Sequence, residues 1–216
     1  MSHPPPQPAG APAPPSPFLA LYAEKFAPLL QHRAAGYRLI FELLEARCRA
    51  LARPPLIVAT GSLRRIGNLP AIGQSTLLLQ VFTAFYPGEI HVVESHPAAA
   101  DVHRIACGDA VQAHIADPVA HLQQLAAAPG APQIDLLYLD ASAFNPADPF
   151  NAANERVRQL DAARACLRAG SIVAVDNFIE PRPDMPLQGT GYLALEWFRE
   201  LGAPCLHQGQ QLVWQL

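Results

Sequence analysis

Lysine is almost missing from the sequence: Lys25 is the only lysine among 15 basic residues, and the others are arginines. The formal net charge is −3, with no basic stripe, so long-range attraction to nucleic acid or to an anionic membrane is not expected. Cysteine is sparse and scattered, without a CxxC pair, which argues against a zinc knot or a disulfide framework. The four cysteines are Cys48, Cys107, Cys166 and Cys205.

Long apolar runs and targeting signals are also missing. No stretch approaches the roughly 20 apolar residues of a membrane span, and no basic region followed by an apolar stretch marks a secretory signal. These features predict a soluble cytoplasmic protein. Residues 1–17 are rich in proline and alanine and offer nothing to bury, so we predict a disordered tail there.

The full chain of 216 residues is half hydrophobic, which suits one α/β domain. Apolar residues at helical spacing predict a helical cap at residues 18–52, with a break at Gly36. Residues 53–216 alternate short apolar strands with amphipathic helices. The predicted strands are Leu56–Ala59, Ile90–Glu94, Gln112–Ile115, Ile134–Asp140 and Ser171–Asp176. The predicted helices are Ser75–Phe85, Pro97–Cys107, Val119–Ala127, Asn151–Arg168 and Gly191–Leu201.

The C-terminus differs from this alternation. Cys205–His207 and Gln211–Gln215 flank Gly209 and predict an antiparallel hairpin. Five β/α units with a terminal hairpin predict a doubly wound, mostly parallel seven-stranded sheet. Ligands of such sheets bind at the carboxyl ends of the strands, so the residues that follow each strand are the candidate site.

Two small turns follow the first strand. Thr60, Gly61 and Ser62 come directly after it, and Gly73 precedes Ser75 at the start of a helix. Glycine lets a backbone approach a ligand, and a helix N-terminus offers free N–H groups, although Ser75 could equally be an N-cap. Neither GxGxxG nor GxxxxGK[ST] is present, which disfavours a dinucleotide-dependent oxidoreductase and a nucleotide triphosphatase.

The Thr-Gly-Ser-Leu-Arg stretch at residues 60–64, the Gly-Gln-Ser-Thr turn at 73–76 and the terminal hairpin together resemble class I S-adenosylmethionine-dependent methyltransferases. The resemblance covers about residues 56–216 and implies a Rossmann-like methyltransferase fold. Its implied cofactor-binding residues are Thr60, Gly61, Ser62, Gly73, Ser75, Glu94, Ser95, Asp117 and Asp140. One position departs from the pattern, because Ala59 stands where an acidic residue is expected.

Within this resemblance, acidic residues after strands two and three would contact the cofactor. The two carboxylate oxygens of Glu94 match the vicinal hydroxyls of a ribose. Asp117 would contact the adenine amino group, but it could equally cap the following helix.

Asp140, Asp176 and Asn177 follow strands four and five, which are expected to be parallel neighbours. These hard oxygen ligands suit Mg²⁺ or another divalent cation and resemble the metal site of cation-dependent O-methyltransferases. The lysine that such enzymes use as base would fall near Ala143 and is missing. Asp140 and His96 are the candidate catalytic residues, and both His96 and His121 are candidate bases by neighbourhood only.

The sequence thus predicts a methyltransferase that uses S-adenosylmethionine, with or without a divalent metal. The predicted acceptor is an oxygen or nitrogen of a small molecule. Nucleic-acid and membrane partners are not expected, and the N-terminal helices could pair two subunits. The alternative, suggested by Ala59 and the missing lysine, is a non-catalytic binding or scaffold protein of the same fold.

Overall fold

A computed structural model describes residues 16–61, 75–140, 145, 147–178 and 189–216 of the chain. The predicted tail lies almost entirely outside these ranges, as do the predicted cofactor residues Ser62 and Gly73. In the described ranges, no helix is long and apolar enough to cross a membrane.

The centre of the molecule is a seven-stranded sheet in the order β3-β2-β1-β4-β5-β7-β6. Strands β1 to β5 are parallel, and β7 is antiparallel to both β5 and β6. The predicted doubly wound sheet with a terminal hairpin is therefore confirmed. The strands are β1 Leu56–Thr60, β2 Glu89–Glu94, β3 Gln112–Ile115, β4 Leu136–Leu139, β5 Ile172–Asp176, β6 His207–Gln208 and β7 Gln211–Gln215.

Eight α-helices surround the sheet in the described part of the chain. They are α1 Pro17–Leu21, α2 Ala27–Leu30, α3 Ala34–Ala50, α4 Ser75–Phe85, α5 Pro97–Cys107, α6 Pro118–Ala127, α7 Pro149–Ala163 and α8 Tyr192–Glu200. Proline stands at the first turn of several helices, where its missing N–H leaves no hydrogen bond unmade. Asp117 and Asp148 accept hydrogen bonds from the first turns of α6 and α7 and fix where these helices begin.

Two apolar clusters cover the two faces of the sheet. On one face, α3 places Tyr37, Ile40, Phe41 and Leu44 against alternate residues of the central strands. On the other face, helices α6, α7 and α8 pack against the intervening strand residues, among them Val93. The strand side chains alternate between these clusters because successive residues of a strand point to opposite faces.

The predicted helix break at Gly36 is wrong, because α3 begins at Ala34 and runs through it. The chain turns earlier, at Gln31, whose φ is 50°. Gly36 instead allows α3 to pack closely on the sheet, because a Cβ atom at this position would overlap the side chain of Gln211 on β7. A glycine that resembles a helix breaker in the sequence therefore marks a close crossing of α3 over the sheet.

At the amino end of the strands, the buried carboxylate of Asp135 joins three segments. It accepts hydrogen bonds from Arg47 on α3 at 3.0 Å, from Arg53 at 2.8 Å and from the backbone N–H of Leu56 at 2.8 Å. A buried carboxylate is tolerated only when such donors compensate for its lost hydration. This ion-pair network holds α3 against the start of β1 and β4.

The first prediction concerns this network. Asp135→Ala leaves Arg47, whose side chain is mostly buried, without its anionic partner. We expect the free energy of unfolding, measured by urea denaturation, to fall by about 3–5 kcal/mol.

Glu42→Gln is the matched control, because Glu42 pairs with Arg38 on the exposed face of α3. Exposed pairs contribute about 0–1 kcal/mol. Equal losses in the two variants would contradict the importance of the Asp135 network.

Candidate functional site

The predicted site residues that the structure describes lie at the carboxyl ends of the parallel strands. Gly61 follows β1 with a φ of 82°, a left-handed conformation that favours glycine, and its N–H donates to the carbonyl of Val93 at 2.9 Å. The missing side chain keeps the backbone at the end of β1 open to a ligand. The residues after Gly61, including Ser62 and Gly73, lie outside the described ranges.

Helix α4 begins at this edge with two buried hydroxyls. Ser75 and Thr76 are at most 2% exposed, and their Oγ and Oγ1 atoms have no hydrogen-bond partner in the structure. Buried hydroxyls are rarely left unpaired, so a ligand at this helix N-terminus would supply the hydrogen-bond partners that these two hydroxyls lack. An anionic or polar group of a bound cofactor would also be favoured by the free N–H groups of the first turn.

Glu94 ends β2 and is 3% exposed. Its Oε1 atom accepts hydrogen bonds from the N–H of His96 at 3.3 Å and from the hydroxyl of Ser95 at 3.5 Å. These contacts hold the carboxylate at the end of the strand. Beside it, a hollow of about 250 Å³ is lined by His96, Ala98, Ala99 and Val102.

Asp117 follows β3 and caps helix α6, because its Oδ1 accepts a hydrogen bond from the N–H of Ala120 at 2.8 Å. The capping role left open by the sequence is therefore present. The adenine contact stays a prediction, which the exposed position of Asp117 at the carboxyl edge permits.

Ala59, the departure from the expected motif, is fully buried and belongs to the apolar cluster on the α3 face. The polar contacts at the end of β1 come instead from Thr60, whose hydroxyl donates to Oε1 of Gln159 at 2.7 Å. Gln159 in turn donates to Glu155 on the same helix at 3.3 Å. Helix α7 thus brings a carboxylate and an amide towards the end of β1.

At the ends of β4 and β5, five side chains form what we call the Asp176 cluster. Its members are Arg33, Tyr138, Asp140, Asp176 and Asn177. Arg33 bridges two of them: its Nε donates to Asp176 Oδ1 at 3.1 Å, and its Nη2 donates to Asn177 Oδ1 at 3.0 Å. The Asn177 amide then donates to Asp140 Oδ1 at 2.8 Å. The three predicted metal ligands are thus brought together, as the parallel pairing of β4 and β5 requires.

The backbone at Asn177 supports this arrangement. Its φ is 63°, in the left-handed region that asparagine tolerates better than most residues. In this conformation the N–H of Asn177 donates to Asp176 Oδ1 at 2.8 Å, and the carbonyl of Asn177 accepts from Thr190 at 2.8 Å. The turn therefore presents the amide side chain to Asp140 and the N–H to Asp176.

Two buried tyrosines anchor the cluster in the core. Tyr138 donates to Asp176 Oδ2 at 3.0 Å, lies 2.8 Å from the hydroxyl of Tyr37, and accepts from the amide of Gln211 at 3.0 Å. Burial raises the pKa of both phenols well above the ordinary value, and the negative charge of Asp176 raises it further. Both tyrosines therefore remain neutral hydrogen-bond donors.

The charges of the cluster are balanced by two arginines. Burial opposes the charge of Arg33, but Asp176 and the two tyrosines outweigh it and raise the pKa of its guanidinium. Arg156 on α7 is fully buried; burial lowers its pKa, and the charges of Asp140 and Asp176 oppose that effect. Two carboxylates thus share their surroundings with two guanidinium groups.

A divalent cation does not fit this arrangement. Both Asp176 oxygens and Asn177 Oδ1 accept hydrogen bonds from protein donors, and the Asn177 amide nitrogen faces Asp140. The fixed charge of Arg33 lies against the same oxygens that a cation would need. We therefore derive no chemistry from a metal at Asp140, Asp176 and Asn177.

His96, the second predicted catalytic residue, lies at the start of α5. Its Nδ1 accepts from the N–H of Ala98 at 3.3 Å, and its carbonyl accepts from Ala99 at 3.0 Å. No hydrogen bond of the described residues joins His96 to the Asp176 cluster. The structure thus places His96 next to Glu94 and gives it a capping role.

Sequence reasoning missed Arg33, Tyr138, Gln159 and Arg156. Tyr138 had a detectable signal, because a tyrosine inside a fully buried strand needs a partner for its hydroxyl. Arg33 had none, since it lies 143 residues before Asp176 and within the predicted helical cap.

Comparison with known structures identifies proteins of the same fold. The TDP-rhamnose 3′-O-methyltransferase CalS11 of calicheamicin biosynthesis is 17% identical, with a TM-score of 0.52, over 95% of this chain and 87% of that chain. An O-methyltransferase from Bacillus cereus in complex with SAH is 18% identical, with a TM-score of 0.55, over 94% and 93% of the two chains.

The MycE methyltransferase of the mycinamycin pathway, in complex with Mg and SAH, is 15% identical with a TM-score of 0.59. The match covers 92% of this chain and 54% of MycE, so this chain spans about half the length of that protein. No protein-family model matches the sequence, and the search of curated proteins found no match. At these identities the similarity shows the fold, which is the Rossmann-like fold of class I methyltransferases.

The second prediction tests the tyrosine anchor. Tyr138→Phe removes the hydroxyl that contacts Tyr37 and Gln211 and the donor to Oδ2 of Asp176, while Arg33 and the Asn177 N–H still donate to Oδ1. We expect the free energy of unfolding to fall by about 1–3 kcal/mol in urea denaturation.

Tyr86→Phe is the control, because Tyr86 stacks on Phe82 and its hydroxyl makes no hydrogen bond to the part of the chain that the structure describes. We expect this variant to stay within about 0.5 kcal/mol of the unmodified protein. If Tyr138→Phe changed the free energy of unfolding as little, the stability of the Asp176 cluster would not depend on the Tyr138 hydroxyl.

Proposed function

We propose that this protein is an S-adenosylmethionine-dependent methyltransferase that acts on an oxygen of a small molecule. The observation that supports it best is a set of groups suited to a polar ligand at the ends of β1 and β2. These are the open backbone at Gly61, the unsatisfied hydroxyls of Ser75 and Thr76, and the buried carboxylate of Glu94. They occur on the fold shared with methyltransferases of known structure.

The groups at this edge suit the parts of the cofactor. Glu94 would accept hydrogen bonds from the two ribose hydroxyls, as a carboxylate fork does. Gly61 and the first turn of α4 would receive the amino-acid part, with Thr60 positioned by Gln159. Asp117 would meet the adenine amino group. When bound, the cofactor supplies an electrophilic methyl group on a sulfonium centre.

The Asp176 cluster would receive the methyl acceptor. Methyl transfer is an in-line displacement, so the protein's main tasks are to orient the acceptor oxygen and to take up its proton. Asp140 is 9% exposed and Asp176 only 3%, so Asp140 is the carboxylate nearer to the solvent side of the edge. We propose that Asp140 takes up the proton of the acceptor oxygen. The Asn177 amide fixes the Asp140 carboxylate, and Arg33 holds Asn177 in turn.

The third prediction concerns cofactor binding, measured by calorimetric titration with S-adenosylhomocysteine. Glu94→Gln removes the charge of the ribose-binding carboxylate but keeps its size. Because hydrogen bonds to charged groups contribute about 1.5–3 kcal/mol, we expect the dissociation constant to rise about 10- to 100-fold.

Glu89→Gln is the control, because Glu89 lies at the opposite end of the same strand and is exposed. Its dissociation constant should equal that of the unmodified protein. If the unmodified protein bound no S-adenosylhomocysteine, the proposed function would be wrong. A non-catalytic scaffold role would then take its place.

The fourth prediction concerns the metal. Because protein donors and Arg33 occupy the oxygens of the Asp176 cluster, we expect affinity for S-adenosylhomocysteine to change less than twofold between EDTA and excess Mg²⁺. Titration of the same complex with Mg²⁺ should give no saturable heat. A saturable Mg²⁺ site that Asp176→Asn abolishes and Glu89→Gln preserves would overturn this assignment.

A further inference from the structure

Three histidines meet at the β3 edge of the sheet, on the face covered by α6. We call His91, His114 and His121 the histidine cluster. His114 lies opposite Val93 in the β2–β3 register, so it projects from the same face as His91, two residues before Val93. The ring centroids of His91 and His114 are 5.0 Å apart, and those of His114 and His121 are 4.4 Å apart.

The ring nitrogens of the cluster are buried and unsatisfied. Nε2 of all three histidines, and also Nδ1 of His91, have no hydrogen-bond partner in the structure. One buried unsatisfied polar atom typically costs about 1–3 kcal/mol, and native proteins keep such atoms few. One ion bound between the three rings would give these nitrogens a common partner.

Protonation of the imidazoles does not account for the unsatisfied ring nitrogens. Burial lowers the pKa of all three rings, and the neighbouring imidazoles lower those of His114 and His121 further, the latter to about 4. At neutral pH the rings are therefore uncharged, and each carries a nitrogen lone pair. Neutral imidazole is the form that binds transition metals.

The spacing suits one metal ion. One ligand nitrogen from each ring can be chosen so that all three lie within 4.8 Å of one another. In a tetrahedral zinc site with Zn–N bonds of about 2.0–2.1 Å, two ligand nitrogens are about 3.3 Å apart. Side-chain rotations that move the rings about 1.5 Å closer would therefore complete the site.

The residues around the histidine cluster also favour a bound metal ion. Glu89 Oε2 lies 3.7 Å from His91 Nε2, so His91 can bind a metal through Nδ1 while Nε2 faces this carboxylate. Carboxylate–histidine–metal arrangements of this kind orient the ring and raise its basicity. Strand β3 is an edge strand with exposed residues on both sides of His114, which leaves a path for an ion from solvent.

From this geometry we infer a zinc-binding site formed by His91, His114 and His121. It joins the edge strand β3 to β2 and to helix α6, and water completes the coordination. The site is separate from the Asp176 cluster, and its existence does not depend on the proposed methyl transfer. Its structural role is to fix the two strand ends that carry Glu94 and Asp117.

The fifth prediction tests the site with Zn²⁺ alone and the untagged full chain, after removal of bound metal with a chelator. Calorimetry should show one Zn²⁺ per chain with a micromolar or lower dissociation constant. His114→Gln and His121→Gln should each weaken this binding at least tenfold. At zinc a hundredfold above the dissociation constant, the Tm should rise by about 5 °C or more.

His207→Gln is the matched control. His207 is also partly buried with an unsatisfied Nε2 atom, but it lies on β6, at the opposite edge of the sheet. This variant should bind Zn²⁺ like the unmodified protein. Binding that is unchanged in His114→Gln and His121→Gln, or lost equally in His207→Gln, would show adventitious zinc binding and overturn the inference.

A second measurement needs no variant and therefore holds even if a substituted chain fails to fold. Co²⁺ should give the visible spectrum of a tetrahedral site without the charge-transfer band of a thiolate ligand, which separates the histidines from the four cysteines. Paramagnetic Ni²⁺ should broaden the ring signals of His91, His114 and His121 first. Broadening of His32 or His96 instead would contradict the site.

Discussion

The buried carboxylate of Asp176 is the constraint on which much of the structure depends. An ionised carboxylate at 3% exposure is stable only when donors surround it, and here they come from separate parts of the chain. Arg33 approaches from the segment before α3, Tyr138 from β4, and the N–H of Asn177 from the turn after β5. Satisfying this one charge therefore fixes the N-terminal segment against the sheet and orients the turn that carries Asn177.

The same constraint explains why α3 forms a layer of the fold. Tyr37 on α3 shares a hydrogen bond with Tyr138, and Gly36 lets the helix approach Gln211, which donates to the same tyrosine. At the other end of the helix, Arg47 pairs with Asp135. The helix is thus held by polar contacts at both ends of β4 and by apolar packing between them. This double attachment holds α3, and with it the Tyr37 side of the Asp176 cluster, against β4.

Much of the fold could be predicted because its signals are local. The strand alternation and the capping residues predicted β3, α4 and α5 with their observed bounds, and the other strands of the parallel part to within two residues. The meeting of Asp140 with Asn177 could also be predicted, since parallel neighbours end at one edge. The role of Arg33 and the pairing of His91 with His114 could not be predicted. Their significance depends on contacts between distant segments and on strand register, which one sequence does not encode in any local pattern.

The charges of the Asp176 cluster and of the histidine cluster also explain which of the two suits a cation. Around Asp176, the two carboxylates of Asp140 and Asp176 lie near the guanidinium groups of Arg33 and Arg156. A divalent ion would add two positive charges beside these guanidinium groups and would have to displace Arg33, which costs a buried ion pair. The histidine cluster has the opposite character, because its neutral rings carry lone pairs and several of their nitrogens have no hydrogen-bond partner. Hard oxygen ligands in the sequence therefore indicate a metal where the structure places an arginine. The cation-binding capacity lies instead with the softer imidazoles at the β3 edge.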